Sequence, residues 1–203
     1  MELYSRLIDA PSGDAQIVAL LLHGRGSDEE DLLPLAPVFG PTVRVYSLRA
    51  PFAFGPGYAW YGFGRDGAAN VQEWQASVEA LNQWVETLEP VLPVVVMGFS
   101  QGGMMAQALA VHRQQQGLLG IISLSAPPLL KPPPAGSLAD FPIFWGHGSE
   151  DPVVVPERGE ETLRILEAAG ARVSAHRYPI SHTIGETELR DIQRWIRENL
   201  VNY

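Results

Sequence analysis

The sequence predicts an α/β fold, an open and mostly parallel sheet with helices on both faces, and three observations predict it. Six short apolar runs, at 17–23, 43–48, 94–97, 121–124, 143–145 and 173–178, have the length and aliphatic content of strands buried on both faces. Between them, apolar residues recur every three or four positions, the period of a helix with one buried face. Strand and helix also alternate in sequence, as a parallel sheet requires, since each crossover must return the chain to the same end of the sheet.

The elements follow in order. The run IVALLLH at 17–23 is the first expected strand, and Ser27-Asp28-Glu29-Glu30 after it has the S-x-x-E spacing of a capping box. A helix is therefore expected from 28 to about 38, with the acidic cluster at 28–31 read as favourable N-terminal charge and not as a metal site. VRVYSL at 43–48 is the second strand. Val71, Trp74, Val78, Leu81, Val85 and Leu88 form the clearest helical stripe in the chain, and VVVM at 94–97 is the next strand. Helices are expected at 101–113 and at 156–169, the latter with a proline at its start and Gly170 just beyond its end. Leu189, Ile192, Ile196 and Leu200 mark a last helix. Two segments fit neither period: the aromatic and glycine-rich stretch 50–67, and 127–142, where six prolines forbid regular structure. Both follow strands, where open α/β sheets bind ligands.

With 203 residues, 46% of them hydrophobic, the chain can bury a sizeable core as one domain spanning 1–203. The absence of cysteine excludes a disulfide scaffold, a cysteine-ligated metal and a thiol nucleophile. A net charge of -9 argues against nucleic acid as a partner. Residues 1–13 lack the pattern of a secretory signal, and the longest aliphatic run, at 17–22, is far too short to cross a bilayer. A soluble, cytoplasmic protein without cofactor or metal is expected.

The chemistry centres on Gly98-Phe99-Ser100-Gln101-Gly102, a G-x-S-x-G pattern placed directly after a strand and directly before a helix. That placement defines a nucleophile elbow, a turn so tight that the positions two before and two after the serine must lack side chains. Ser100 needs a base, and the base needs a carboxylate to fix its tautomer. The chain order on this type of fold is serine, acid, histidine. His112 lies too far along the helix leaving the elbow, and His147 precedes the acid. His182, in the loop between the last strand and the last helix, is favoured over His176, which alternates within the strand. Asp151, in a loop after a strand and followed by Pro152, is favoured over its neighbour Glu150. Two N–H donors must face the developing oxyanion: one from Gln101, the other from the Leu22 to Gly26 loop. Gly62 to Gly67 matches G-x-G-x-x-G, but neither a buried strand before it nor a helix inside it supports nucleotide binding.

Taken together, these segments resemble the phospholipase/carboxylesterase family of α/β-hydrolases. The resemblance runs through LLHGRGSDEEDLLPLA at 21–36, RAPF at 49–52, AWYGF at 59–63, GFSQGGMMAQALA at 98–110, HGSEDPVVVPERG at 147–159 and SHTI at 181–184. It implies an α/β-hydrolase fold, Ser100, Asp151 and His182 as a catalytic triad, and the amides of Arg25 and Gln101 as the oxyanion hole. With sheet, helices and triad loops placed, only 50–67 and 127–142 remain to cover the cleft, so no separate lid domain is expected. Trp60 and Tyr61 match an aromatic position near the family's cleft and are candidate substrate contacts. Many members carry an aliphatic residue where this chain has Arg25, so only the backbone role of that position carries over. The implied activity is hydrolysis of short to medium acyl esters. Thioester or lysophospholipid hydrolysis by the same residues is the alternative, and a catalytically inactive binding protein on the same fold is a second. A homodimer is compatible with the family.

Overall fold

The computed structural model describes residues 1–88 and 92–200, so 89–91 and the last three positions of the expected domain lie outside it. Strand β2 (Ile17–Leu22) is buried at every position, which is why its sequence shows no polar alternation. It pairs in parallel with β3 (Val43–Leu48) on one side and with β6 (Val94–Phe99) on the other. Three more parallel strands follow, β7 (Leu118–Leu124), β8 (Pro142–Gly148) and β9 (Arg172–Tyr178). An antiparallel edge strand, β1 (Ser5–Ile8), completes a seven-stranded sheet of order β1-β3-β2-β6-β7-β8-β9. Strand β1 leaves no apolar signal in the sequence, because its residues are mostly solvated and form no apolar run.

Because side chains alternate across a strand, each buried run feeds two cores. Val18, Leu20 and Leu22, with Val94, Val96 and Ile121, face helices α1 (Val71–Glu86), α2 (Gln101–His112) and α3 (Pro156–Ala168). Ile17, Ala19 and Leu21, with Val95, Met97 and Ile122, face α4 (Glu186–Asn199) and a 3-10 helix, Leu33–Phe39. Asn70 caps α1 by accepting from the Glu73 amide at 3.2 Å. Helix α2 is buried at every position from Gln101 to Ala110, which accounts for its small and apolar sequence. Among the described residues no helix is long and apolar enough to cross a membrane.

The helix expected at 28–38 is replaced by a turn and the short 3-10 segment. Pro37 inside that segment has no N–H to give to a preceding carbonyl, and the wider α-helical ladder cannot form through it. The capping box is also pre-empted. Ser27 bridges to Tyr58, and the Glu30 amide donates to the Asp28 carboxylate at 2.9 Å. The acidic cluster serves arginines instead of a helix end: Glu29 pairs with Arg49, and Glu30 with Arg6 at 2.8 Å.

The segment 50–67 contains a small hairpin, β4 (Phe52–Phe54) and β5 (Gly57–Ala59), turned at Gly55, whose positive φ of 58° suits glycine. The proline-rich segment before β8 stays irregular, held to the end of α3 by Leu138 N–H donating to Ala169 O (2.9 Å) and Asp140 N–H to Gly170 O (3.0 Å). Neither segment forms a separate lid. Strand order reverses at β2, with β3 on one side and β6 on the other, and the crevice beyond that switch point is where open sheets receive ligands.

Candidate active site

Four loops at the carboxyl ends of β2, β6, β8 and β9 meet at this crevice. Strand β6 delivers Ser100 in a conformation that L residues rarely adopt, φ 53° and ψ -119°. Such a geometry costs on the order of 1–3 kcal/mol and persists only where its surroundings enforce it. Here Ser100 N–H donates to Leu124 O at 2.8 Å, and Ser100 O accepts from Gly103 N–H at 3.0 Å. The flanking glycines are required by contact: a Cβ at Gly98 would collide with the Gly102 carbonyl, and one at Gly102 with the Leu22 carbonyl.

Ser100 Oγ donates to His182 Nε2 at 3.0 Å, and His182 Nδ1 donates to Asp151 Oδ2 at 2.6 Å. The carboxylate can only accept, which fixes the proton on Nδ1 and leaves the Nε2 lone pair for the serine hydroxyl. Asp151 Oδ1 accepts from the Val153 and Val154 amides at 2.8 and 2.9 Å. Burial alone would raise the Asp151 carboxyl, but the hydrogen bonds from His182 and the two amides outweigh it and hold the group below the usual carboxylate value. The acid and base loops are tied together as well, through Ser149 N–H to Tyr178 O (2.7 Å) and Glu150 N–H to Ile180 O (3.1 Å). Asp151 is buried, whereas Ser100 and His182 are half-buried and reachable from solvent.

The rival residues lie elsewhere. His176 stacks on Phe144 with its Nε2 2.9 Å from Ser174 Oγ, and Glu150 is exposed. His147 is buried and donates from Nε2 to Val154 O at 2.8 Å, so the Val154 main chain is held at its carbonyl by His147 and at its N–H by Asp151. This bracing of the acid loop was not foreseen from sequence.

Two backbone amides belong to residues that adjoin the serine in sequence or in space. Gln101 begins α2, so its N–H has no partner within the helix. Arg25 follows Gly24, where a Cβ would lie 3.5 Å from Ser100 Cβ. Among the described residues, neither amide donates to a backbone carbonyl outside helices and strands. The Gln101 side chain has a role the sequence reading missed: Oε1 accepts from Trp60 N–H and Nε2 donates to Tyr61 O, both at 2.8 Å. Trp60 and Tyr61 were expected as substrate contacts, but they are 0% and 2% exposed. Their rings are anchored in the interior: Trp60 Nε1–H donates to His23 O at 2.9 Å, and Tyr61 O–H points to Met104 Sδ at 3.3 Å. His23 is itself locked, donating from Nδ1 to Gly24 O (2.7 Å) and accepting at Nε2 from Ala50 N–H (3.0 Å). Burial keeps its imidazole below the ordinary value despite the opposing pull of the Gly24 carbonyl and nearby carboxylates.

The model of a family described as Phospholipase/Carboxylesterase matches residues 62–200, more than half of the chain. The chain belongs to the phospholipase/carboxylesterase family. The matched span contains Ser100, Asp151 and His182, while Arg25 lies ahead of it. The similarity extends further in individual members. MhqD of Bacillus subtilis (strain 168) is 24% identical over 194 residues, covering 93% of this chain and 96% of its own length. Acyl-protein thioesterase 1 of Cryptococcus neoformans is 26% identical over 219 residues, covering 89% of this chain and 91% of its own. The crystal structure of esterase PE8 superposes with a TM-score of 0.82 at 26% identity, covering 98% of this chain and all of that one. As a member of the phospholipase/carboxylesterase family, the protein is a hydrolase of the esterase and thioesterase class on an α/β-hydrolase fold.

Proposed function

We propose that the protein is a serine carboxylester hydrolase acting on short to medium acyl esters, with the chain working as one catalytic domain in the cytoplasm. The observation that carries this reading is the unbroken chain of hydrogen bonds from Asp151 through His182 to Ser100, at 2.6 and 3.0 Å. His182 takes the hydroxyl proton as Ser100 Oγ attacks the carbonyl carbon, and Asp151 steadies the imidazolium that forms. The developing oxyanion accepts from the Arg25 and Gln101 amides. His182 then gives its proton to the leaving alkoxide, and the same base activates water to release the acyl group from Ser100. The half-buried serine favours small or surface-presented esters over substrates that need a long enclosed tunnel.

The thioester reading uses the same residues and draws on the likeness to a thioesterase of Cryptococcus neoformans. Ser100→Ala should lower p-nitrophenyl ester hydrolysis by roughly 10^4-fold or more with little change in melting temperature. Undiminished turnover in that variant would refute the assignment. Comparison of kcat/KM for matched esters and thioesters of increasing acyl length separates the two readings.

A further inference from the structure

Beside the serine loop, the Arg25 side chain is held in an unusual way. Its guanidinium carbon lies 4.0 Å from the centroid of Phe54, on the hairpin, and 4.8 Å from that of Phe63, after the hairpin. Both rings are among the exposed large hydrophobics, at 41% and 46%. Phe63 leans in turn on Tyr61, at 5.6 Å between centroids, and Tyr61 is bonded through its carbonyl to the residue that follows Ser100. The cation is thereby held against the hairpin, on the residue that follows Gly24, whose backbone packs against Phe99 and Ser100.

Two other arginines rest on aromatic rings, and both are neutralised. Arg49 lies over Tyr4 and Tyr58 and is gripped by both oxygens of Glu29. Arg177 lies over Trp145 and is gripped by both oxygens of Glu160, at 2.5 and 2.8 Å. Among the described residues, Arg25 has neither an ion pair nor a side-chain hydrogen bond, although it is exposed. Of the carboxylates nearest in sequence to its loops, Asp31 makes no ion pair with Arg25 or with any other described residue, and five others are engaged elsewhere. Asp28 holds the Glu30 amide, Glu29 holds Arg49, Glu30 holds Arg6, Asp66 holds the Ala68 amide and Glu73 holds the Gly62 amide. Contacts to ring faces use the cation's charge and leave its N–H fork open, and that fork matches a carboxylate or phosphate. On a protein of net charge -9, a lone cation of this kind is a selective landing point for an anion.

We propose that Arg25 binds an anionic group of the substrate, a carboxylate or a phosphate, so that the site prefers acidic esters such as half-esters of dicarboxylic acids over neutral ones. This rests on the reading of Ser100 as the nucleophile and adds a specificity role for the Arg25 side chain, separate from that of its amide.

The test compares mono-p-nitrophenyl glutarate with its methyl ester, which is the same molecule without the charge. The readout is the ratio of their kcat/KM values, from which any general change in turnover cancels. In the unmodified protein the ratio should favour the acid and decline with added salt. Arg25→Met should lower it roughly 10- to 100-fold, mainly through KM, and Arg25→Lys should restore part of it. An arginine that only clamps the two phenylalanines would affect both esters alike, and an unchanged ratio in Arg25→Met overturns the proposal. Competition by free glutarate and by inorganic phosphate identifies the group: inhibition lost in Arg25→Met supports the proposal, and inhibition by neither overturns it. Calorimetric titration of monomethyl glutarate into Ser100→Ala, with and without Arg25→Met, decides the question without turnover. Affinity should weaken at least tenfold, and equal affinity overturns the proposal. Hydrolysis that survives Ser100→Ala would refute the assignment of Ser100 as the nucleophile alone, leaving the titration to decide on Arg25.

Discussion

Glu188 should make the stability of this protein fall between weakly acidic and weakly alkaline pH, and Glu188→Gln should remove that fall. The carboxyl lies in the first turn of α4, 1% exposed, with Oε2 accepting from Gly185 N–H at 3.3 Å and Oε1 packed so closely under β8 that a Cβ at Gly146 would overlap it. Burial raises its pKa from 4.5 to about 7; the Asp191 carboxylate adds to the shift and the Gly185 amide opposes it. Below the unfolded value the group is protonated in both states and carries no penalty. As pH rises through 4.5 towards 7, the unfolded chain releases its proton first, and the native state loses relative stability. At about 1.4 kcal/mol per pKa unit, the shift to about 7 corresponds to roughly 3 kcal/mol by pH 8. Urea unfolding of both proteins at pH 4.5 and pH 8 measures this directly. His23, His176 and Asp151 also titrate with shifted values, but they are common to both proteins and cancel in the difference. The stability of Glu188→Gln relative to the parent should rise by about 3 kcal/mol between the two pH values. Parallel pH profiles would refute the assignment of a buried, reluctantly ionised carboxyl.

Asp151→Asn should reduce kcat by about 10^4-fold, the scale known for this change in a serine-protease triad, because an amide can hold His182 in the wrong tautomer. Its thermal midpoint and steady-state rates should be measured together, and near-normal kcat in a folded variant would contradict the role given to the carboxylate. Gln101→Ala leaves Trp60 N–H and Tyr61 O without partners in a buried setting, a loss of about 2–4 kcal/mol by denaturant unfolding. Gly102→Ala drives a Cβ into the Leu22 carbonyl and should cost roughly 1–3 kcal/mol or more. Because the displaced turn carries Ser100, fluorophosphonate labelling should slow even where the variant folds; normal labelling would show that the turn can relax.

The centre of the sheet was legible because strands such as β2 and β6 are buried on both faces, so that runs such as 17–22 and 94–97 stand out as apolar blocks. The elbow was legible because its steric demand leaves a local trace, the glycines at 98 and 102. Chain order and loop position singled out His182 and Asp151, each after a strand end, and the two side chains are hydrogen-bonded to each other. The rest depends on partners distant in sequence. Nothing near Gln101 announces that its side chain grips residues 60 and 61, about forty positions away. The S-x-x-E pattern at 27–30 satisfied a local rule, yet Arg6, Arg49 and Tyr58 claimed its members, and Pro37 limited what followed to a 3-10 turn. Trp60 and Tyr61 are bonded to the residue after Ser100 and buried, and aromatic composition alone does not distinguish a wall from a foundation.

The double grip of Gln101 has a consequence for how this site can change. Its amide belongs to the turn that carries Ser100, while its side chain holds the main chain of Trp60 and Tyr61. Substitutions that shift those two residues therefore pull on the turn that carries Ser100, and in the proposed mechanism a change of pocket shape made there is transmitted to rate. Phe54, at the tip of the hairpin and 41% exposed, has no such hydrogen-bonded tether to the elbow among the described residues. New substrate preferences are thus most readily acquired at the hairpin tip, while the buried pair behind it stays fixed by the turn it supports.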